Sequence, residues 1–324
     1  MRHARSRSGS TPHASSPRPG GVWSDGGVNA PPPTTRPDTE GLDVGALRDV
    51  AVEIARTAAD HVRRRRGELF GFAGTAHATS ETVSAKTSAT DPVTVADRES
   101  EDVVRSLLAQ RRPGDAVLGE EGGGAASDDG VTWVVDPIDG TVNFLYGIPA
   151  YSVSVAAQVG GVSVAGAVVD VVADTVYCAA RGSGATAITA AGERVALTCN
   201  PVDDLSLALV ATGFAYSAAR RARQGELVAA LLPRVRDIRR IGSAALDLCM
   251  VASGRTDAHY EHGLSVWDWA AGALVAEEAG AAVRVPAATA PGSDGRLVVA
   301  AAPGIADELA KVFTELGTDA PIPA

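Results

Sequence analysis

"VVDPIDGTVNF", residues 134–144, sets two aspartates three positions apart at the end of a strand-like run, Val131-Thr132-Trp133-Val134-Val135. Asp136 closes the run and Asp139 stands beyond Pro137. Like charges this close repel, and one takes up a proton unless a cation holds both. The stretch therefore asks for a cation at the carboxyl end of a buried strand, where open α/β sheets form their sites.

Other acids fall at expected element ends. Asp97 opens a helix, Glu120 ends a short strand in "PGDAVLGEE", and Asp268 in "SVWDWAAGALVAEEAGA" precedes a helix with Ala271, Leu274 and Val275 on one stripe. Taken singly, Asp97 and Asp268 read as helix N-caps and Asp136 as a turn residue. Taken together they are an oxygen-only donor set without nearby His or Cys, which selects a hard cation. Mg²⁺ accepts few carboxylates, keeps waters and completes its shell with phosphate oxygens. Gly140-Thr141 supplies the complement: if a helical turn begins there, its free N–H groups suit an anion. The Thr141 hydroxyl, beside the aspartates, is placed to orient a water. These residues point to metal-assisted chemistry on a phosphate.

Composition narrows the setting. The 324 residues are 45% hydrophobic and 21% charged, enough to bury a core in one large layered domain or two smaller ones. A net charge of −10 argues against a general nucleic-acid binder. The run Arg63-Arg64-Arg65-Arg66 reads as a solvated last helical turn. Cys178, Cys199 and Cys249 are scattered, so neither a zinc site nor a disulfide framework is indicated, and a reducing cytoplasm fits. No run reaches the ~18 apolar residues of a membrane span.

Residues 1–42 are rich in Ser, Pro, Gly and Arg and read as a disordered tail; a catalytic domain is expected over 43–320. Helical spacing covers 44–66 and 97–110, and a loop runs to about residue 90. Strand-like runs at 151–158, 162–169 and 174–180 predict an antiparallel meander. The second half alternates strand 205–211, helix 217–232, strand 237–241, helix 243–253, strand 256–260, helix 269–279, strand 295–301 and helix 303–316. Stacked layers of helices and sheets follow, an α/β (α+β layered) class. His259 and His262 read as surface or pocket-rim residues, Trp267 and Trp269 as core and wall, and Glu277 and Glu278 as solvated.

Four motifs in order, "TDPVTVAD" (90–97), "GEE" (119–121), "DPIDGTVNF" (136–144) and "WDWAAGALVAEEAGA" (267–281), resemble the signatures of the inositol monophosphatase family. "PGDAVLGEEGGG", "NFLYGIPAYSVS" and "RRIGSAALDLCMVASG" are similar to its actinobacterial members in particular. The resemblance covers about residues 44–316. It implies an αβαβα sandwich of the inositol monophosphatase / fructose-1,6-bisphosphatase type and a lithium-sensitive, Mg²⁺-dependent phosphatase, commonly dimeric. Glu120, Asp136, Asp139, Asp268 and the Ile138 carbonyl would bind two or three Mg²⁺ ions, for which Mn²⁺ can substitute. Glu120, Asp136 and Ile138 would share the ion that activates water, and Asp136, Asp139 and Asp268 the ion at the leaving group. Thr141, hydrogen-bonded to Asp97, would activate the attacking water. Gly140 and Thr141 N–H groups would hold the phosphate, and Gly242, Ser243, Ala244 and Glu261 would line the sugar pocket. The expected partner is a small phosphorylated polyol, inositol-1-phosphate first and histidinol phosphate second. A regulatory protein that binds transcription machinery is the reading from a different class, and the intact carboxylates favour the enzyme.

Overall fold

The computed structural model describes residues 41–71, 79, 82–86, 92–127 and 129–324. The expected tail, apart from its last two residues, lies outside the described residues, as do Thr90 and Asp91 of the first motif.

Helix α1 (Val44–Phe70) starts where Asp43 Oδ1 accepts the Ala46 N–H at 2.9 Å, and it buries Leu47, Ala51, Ile54, Ala58 and Val62 along one stripe. It runs one turn beyond the arginine run, so those residues do not end it; Arg63 and Arg64 are exposed as expected, whereas Arg65 is half-buried. Arg63 bonds Asp174 and the Val171 carbonyl, and Arg65 bonds Glu99 and Glu68. Arg66 is buried, its guanidinium 5.2 Å from the Phe70 ring centre and 5.9 Å from that of Phe144.

A hairpin of β1 (Val83–Ala85) and β2 (Pro92–Thr94) leads into α2 (Val95–Arg111). A seven-stranded sheet follows in sequential order: β3 (Ala116–Gly119), β4 (Val131–Asp139), β5 (Ser152–Val159), β6 (Val162–Asp170), β7 (Thr175–Ala180), β8 (Ala185–Ile188) and β9 (Arg194–Ala196). Only the β3–β4 pair is parallel. The meander is as expected, with two further short strands. β8 is mostly alanine and threonine and β9 is exposed throughout, so neither carries an apolar alternation to read.

A five-stranded sheet makes the other layer, ordered β11 (Asp237–Arg239), β10 (Leu209–Thr212), β12 (Ala258–His262), β14 (Leu297–Ala301) and β13 (Ala282–Arg284). Helices α5 (Ala244–Ala252) and α6 (Val266–Glu278) lie between the two sheets. α1 and α2 cover the outer face of the first sheet. α7 (Ala306–Leu316), with α4 (Ala218–Leu231), closes the second, Tyr260 of β12 resting 5.0 Å from the Phe313 ring. The layers run αβαβα.

The second half departs from the expected boundaries in informative ways. The run at 205–211 divides into a 3-10 turn at Leu205–Leu207 and β10. β12 lies two residues later than the spacing predicts, and it is a central strand. His259 and His262 are therefore buried, not at a rim, and burial pushes their imidazoles down to about 3 and about 4. α6 begins three residues early, which brings Asp268 inside its first turn. Trp269 is buried and Trp267 packs at the edge of the same core, as expected. Glu277 is exposed and pairs with Arg181, whereas Glu278 accepts the Gly182 and Gly184 N–H groups.

Candidate active site

β4 is buried along its whole length, and its register against β5 slips at the end: Asp136 stands opposite Ser154 and Asp139 opposite Ser152. Three steps on one strand match two on the other, so Pro137-Ile138 form a bulge. In a regular strand positions 136 and 139 face opposite sides of the sheet. The extra residue turns both aspartates to the same side, toward the inner helices.

Two helix starts complete the cluster. Ser265 caps α6 and Asp268 is its third residue, its Oδ2 accepting the Ser265 N–H at 2.6 Å in a capping box. The cap is thus Ser265, and Asp268 keeps its second oxygen for other partners. Carboxylate oxygens of Asp136, Asp139 and Asp268 lie within 4.8 Å of one another. At the start of α5, Asp139 accepts the Ser243 hydroxyl at 2.5 Å and the Ala245 N–H at 2.7 Å, with the Ala244 N–H at 3.3 Å. Ser243 and Ala244 therefore hold a cluster carboxylate, a role the sequence did not announce.

Glu120 follows β3 directly, and its N–H donates to the Val135 carbonyl at 3.2 Å, which carries it beside Asp136. Each of the two carboxyl groups shifts the other's ionisation. Lys86 bridges Glu120 at 2.7 Å and Glu121 at 2.5 Å. Burial opposes its charge, but the two glutamates outweigh that and hold the ammonium above its ordinary value.

The electrostatics of the cluster are those of acids awaiting cations. Burial, then the charges of Glu120, Asp139 and Asp268, push Asp136 well up; burial, then Glu120 and Asp139, do the same to Asp268. Burial also raises Asp139, against the donors from Ser243, Ala245, Ala244 and Ser152. Carboxylates this close either share protons or surround a positive charge, and the Lys86 ammonium already stands in for one beside Glu120. An all-oxygen set of this kind fits a hard divalent cation.

A second capping box lies alongside. Thr94 caps α2, and Asp97 is its third residue, not its cap; Oδ2 accepts the Thr94 N–H at 2.8 Å and the Thr94 hydroxyl at 2.5 Å. The Thr141 hydroxyl lies 3.0 Å from Asp97 Oδ1 and 3.0 Å from the Ile138 carbonyl. Burial raises Asp97 to about 7, with the Thr94 bonds opposing. Gly140 enters α3 (Thr141–Tyr146) at φ 94°, and a Cβ there would meet the Gly242 and Ala150 carbonyls at 3.0 and 3.1 Å. Only glycine fits where the end of β4 meets the α5 loop.

Glu261 of β12 is half-buried, and burial raises it to about 7 against the nearby Arg240 charge. A Cβ at Gly213, just past β10, would overlap its carboxylate. Asp247 of α5 and His259 are buried, with Asp247 Oδ2 3.9 Å from His259 Nδ1.

The profile of the inositol monophosphatase family matches residues 43–318. The chain belongs to the inositol monophosphatase family. It is 57% identical over 294 residues to inositol-1-monophosphatase SuhB of Mycobacterium tuberculosis, covering 89% of this chain and 99% of that one. The solved structure of Mycobacterium tuberculosis SuhB superposes with a TM-score of 0.71 at 53% identity, over 85% of this chain and 98% of that one. A more distant relative, Nus factor SuhB of Vibrio cholerae, is 33% identical over 73% of this chain and 84% of its own. The protein is thus an enzyme of a phosphatase family, and among the described residues no helix is long and apolar enough to cross a membrane.

Lys86, Glu101, Gly213 and Asp247 are the site residues the sequence did not single out. Glu101 left a signal, being one helical turn from Asp97 on α2. Lys86 left none, because it reaches the acids only through tertiary contact.

Proposed function

We propose that the protein hydrolyses myo-inositol-1-phosphate to inositol and inorganic phosphate, as a Mg²⁺-dependent, lithium-sensitive cytoplasmic homodimer with its catalytic unit in residues 43–320. The observation that carries this reading is the convergence of Asp136, Asp139 and Asp268 within 4.8 Å. Glu120 and the Ile138 carbonyl complete the donors that would hold two or three ions, with Mn²⁺ an acceptable substitute.

When bound, the ions lower the pKa of a coordinated water and offset the charge that develops on the phosphoryl oxygens and the leaving oxygen. The chain's own residues do the rest. The Thr141 hydroxyl accepts a hydrogen bond from the attacking water while donating to Asp97. Asp97, raised to about 7 by burial, takes up the water's proton through that hydroxyl near neutral pH. The first N–H groups of a helix lack intrahelical acceptors, so Gly140 and Thr141 offer theirs to phosphate oxygens. Glu261 accepts hydrogen bonds from inositol hydroxyls, beside the α5 loop at Gly242-Ser243-Ala244. The water oxygen forms a bond to phosphorus as the bond to the inositol oxygen breaks; the leaving oxygen takes a proton from a solvent water, and the proton held by Asp97 returns to solvent. No residue becomes phosphorylated.

Phosphate release from inositol-1-phosphate, histidinol phosphate and fructose-1,6-bisphosphate, each with Mg²⁺ and with or without Li⁺, tests the proposal. The expected ranking puts inositol-1-phosphate first, with inhibition by Li⁺. A higher kcat/KM on histidinol phosphate would move the substrate to an amino alcohol, whose ammonium Glu261 can also receive.

A further inference from the structure

We infer that Glu101, with Arg105, is a positioning residue that fixes where the Glu120 carboxylate stands and thereby sets the cation affinity of the cluster. This rests on the reading of the cluster as a divalent-cation site.

Glu120 begins a loop that cannot hold itself in place. Gly122, Gly123 and Gly124 have no side chains to pack, and the loop's own ties are the paired Gly119 and Gly123 backbone bonds at 3.0 and 3.1 Å. The anchor comes from α2. The Glu101 side chain is 3% exposed; its Oε2 accepts the Glu121 N–H at 2.7 Å and its Oε1 the Gly122 N–H at 2.9 Å. Arg105, one turn further along α2, donates Nε to Glu101 Oε1 at 2.7 Å and Nη2 to the Gly123 carbonyl at 2.6 Å. Two successive loop N–H groups and the carbonyl after them are thus gripped by one ion pair. Charge-assisted bonds of this kind are the strong ones.

The glycines are the space in which the grip closes. A Cβ at Gly119 would overlap the Glu101 carboxylate, and one at Gly122 would stand 2.5 Å from Glu101 Oε1 and 3.0 Å from Arg105 Nε. The Glu120 backbone is therefore held on both sides, by its own N–H on the Val135 carbonyl of β4 and by the Glu121 N–H on Glu101 of α2, so its carboxylate, which also meets Lys86, starts from a fixed point. The same helix turns Asp97 toward Thr141. One rigid element sets the spacing between the expected proton acceptor and the expected cation ligand.

The test is Mn²⁺ binding by the full chain, read from the loss of the free-Mn²⁺ EPR signal and from the Mn²⁺-dependent rise in Tm. Four proteins are compared: wild type, Glu101→Asp, Glu101→Gln and Gly122→Ala. Glu101→Asp keeps the charge but is one methylene too short to reach both N–H groups. Gly122→Ala keeps Glu101 and pushes it from the far side. Each variant is expected to weaken Mn²⁺ binding by roughly 10- to 100-fold, the usual effect of losing a group that orients a metal ligand. Wild-type affinity in Glu101→Asp and Gly122→Ala, with only a lower cation-free Tm, would reduce the grip to a structural role and overturn the inference. Weak binding in Glu101→Gln alone would also overturn it, because charge and not position would then matter. If Glu101→Asp does not fold, Gly122→Ala decides by itself. Failure of the wild type to bind Mn²⁺ overturns the reading of the cluster and this inference with it, whereas the outcomes above leave the cluster standing.

Discussion

The starts of α2 and α6 use the same local device toward different ends. In each, a hydroxyl residue caps the helix and an aspartate three positions later returns one oxygen to the cap's N–H, at 2.8 Å for Thr94–Asp97 and 2.6 Å for Ser265–Asp268. The box leaves the second oxygen aimed by the helix and free to act. Opposite Asp97 the fold brings a hydroxyl, Thr141, and the acid, at about 7, can act as a base near neutrality. Opposite Asp268 it brings Asp136 and Asp139, and in the proposed function these acids, each pushed up by burial, would share a cation. The helix start supplies the aim, and the residue facing it decides the chemistry.

Breaking each box's free oxygen separates the two roles. Asp268→Asn keeps an acceptor for Ser265 and removes a charge from the cluster. It is expected to cut kcat/KM by about 10³-fold, the several kcal/mol that a cation contributes to a phosphoryl transition state. Its cation-free Tm should stay level or rise, since one of three mutually repelling acids is gone; a lower Tm with full activity would contradict the assignment. Asp97→Asn and Thr141→Val are each expected to lower kcat by ~10²-fold or more with an unchanged Mn²⁺ midpoint. A shifted midpoint in either would merge the two boxes into one role.

The pH response sharpens the contrast. Asp136, Asp139, Asp268 and Glu120 all have folded-state values above the ordinary carboxylate range of ~4. Between that range and the raised values the folded state holds more protons than the unfolded one. In the cation-free protein this contribution is therefore full below pH ~4 and is lost as pH rises through the folded-state values. Cations must displace those protons. The Tm rise caused by saturating Mg²⁺ is expected to be larger at pH 8 than at pH 5.5, and an equal rise at both would contradict it. The smallest effect is that of the caps themselves. Ser265→Ala is expected to lower Tm by roughly 2–4 °C, from about 1 kcal/mol of lost capping.

The acids were legible because apolar runs end on them: Asp136 and Asp139 in the last residues of β4, Glu120 just after β3. The bulge that makes Asp136 and Asp139 face the same way was not, since register exists only once β5 is in place. The capping boxes were written in "TVAD" and "SVWD", with the hydroxyl three residues before the acid, yet each acid alone resembles a cap. His259 and His262 looked peripheral because polar residues beside a glutamate suggest an edge. Burial between β10 and β14 came from strand order, which the sequence does not state. Lys86 meets acids distant in the chain and no spacing rule reaches it, whereas Glu101 could have been noticed one helical turn after Asp97 but not its bonds to the 121–123 loop.

The most direct measurement is an anomalous difference map from crystals soaked in Mn²⁺. A peak bounded by carboxylate oxygens of Asp136, Asp139 and Asp268, lost in Asp268→Asn, is the expected result. A map without density there, from protein that still releases phosphate at an undiminished rate, would contradict the convergence of these acids on a catalytic cation.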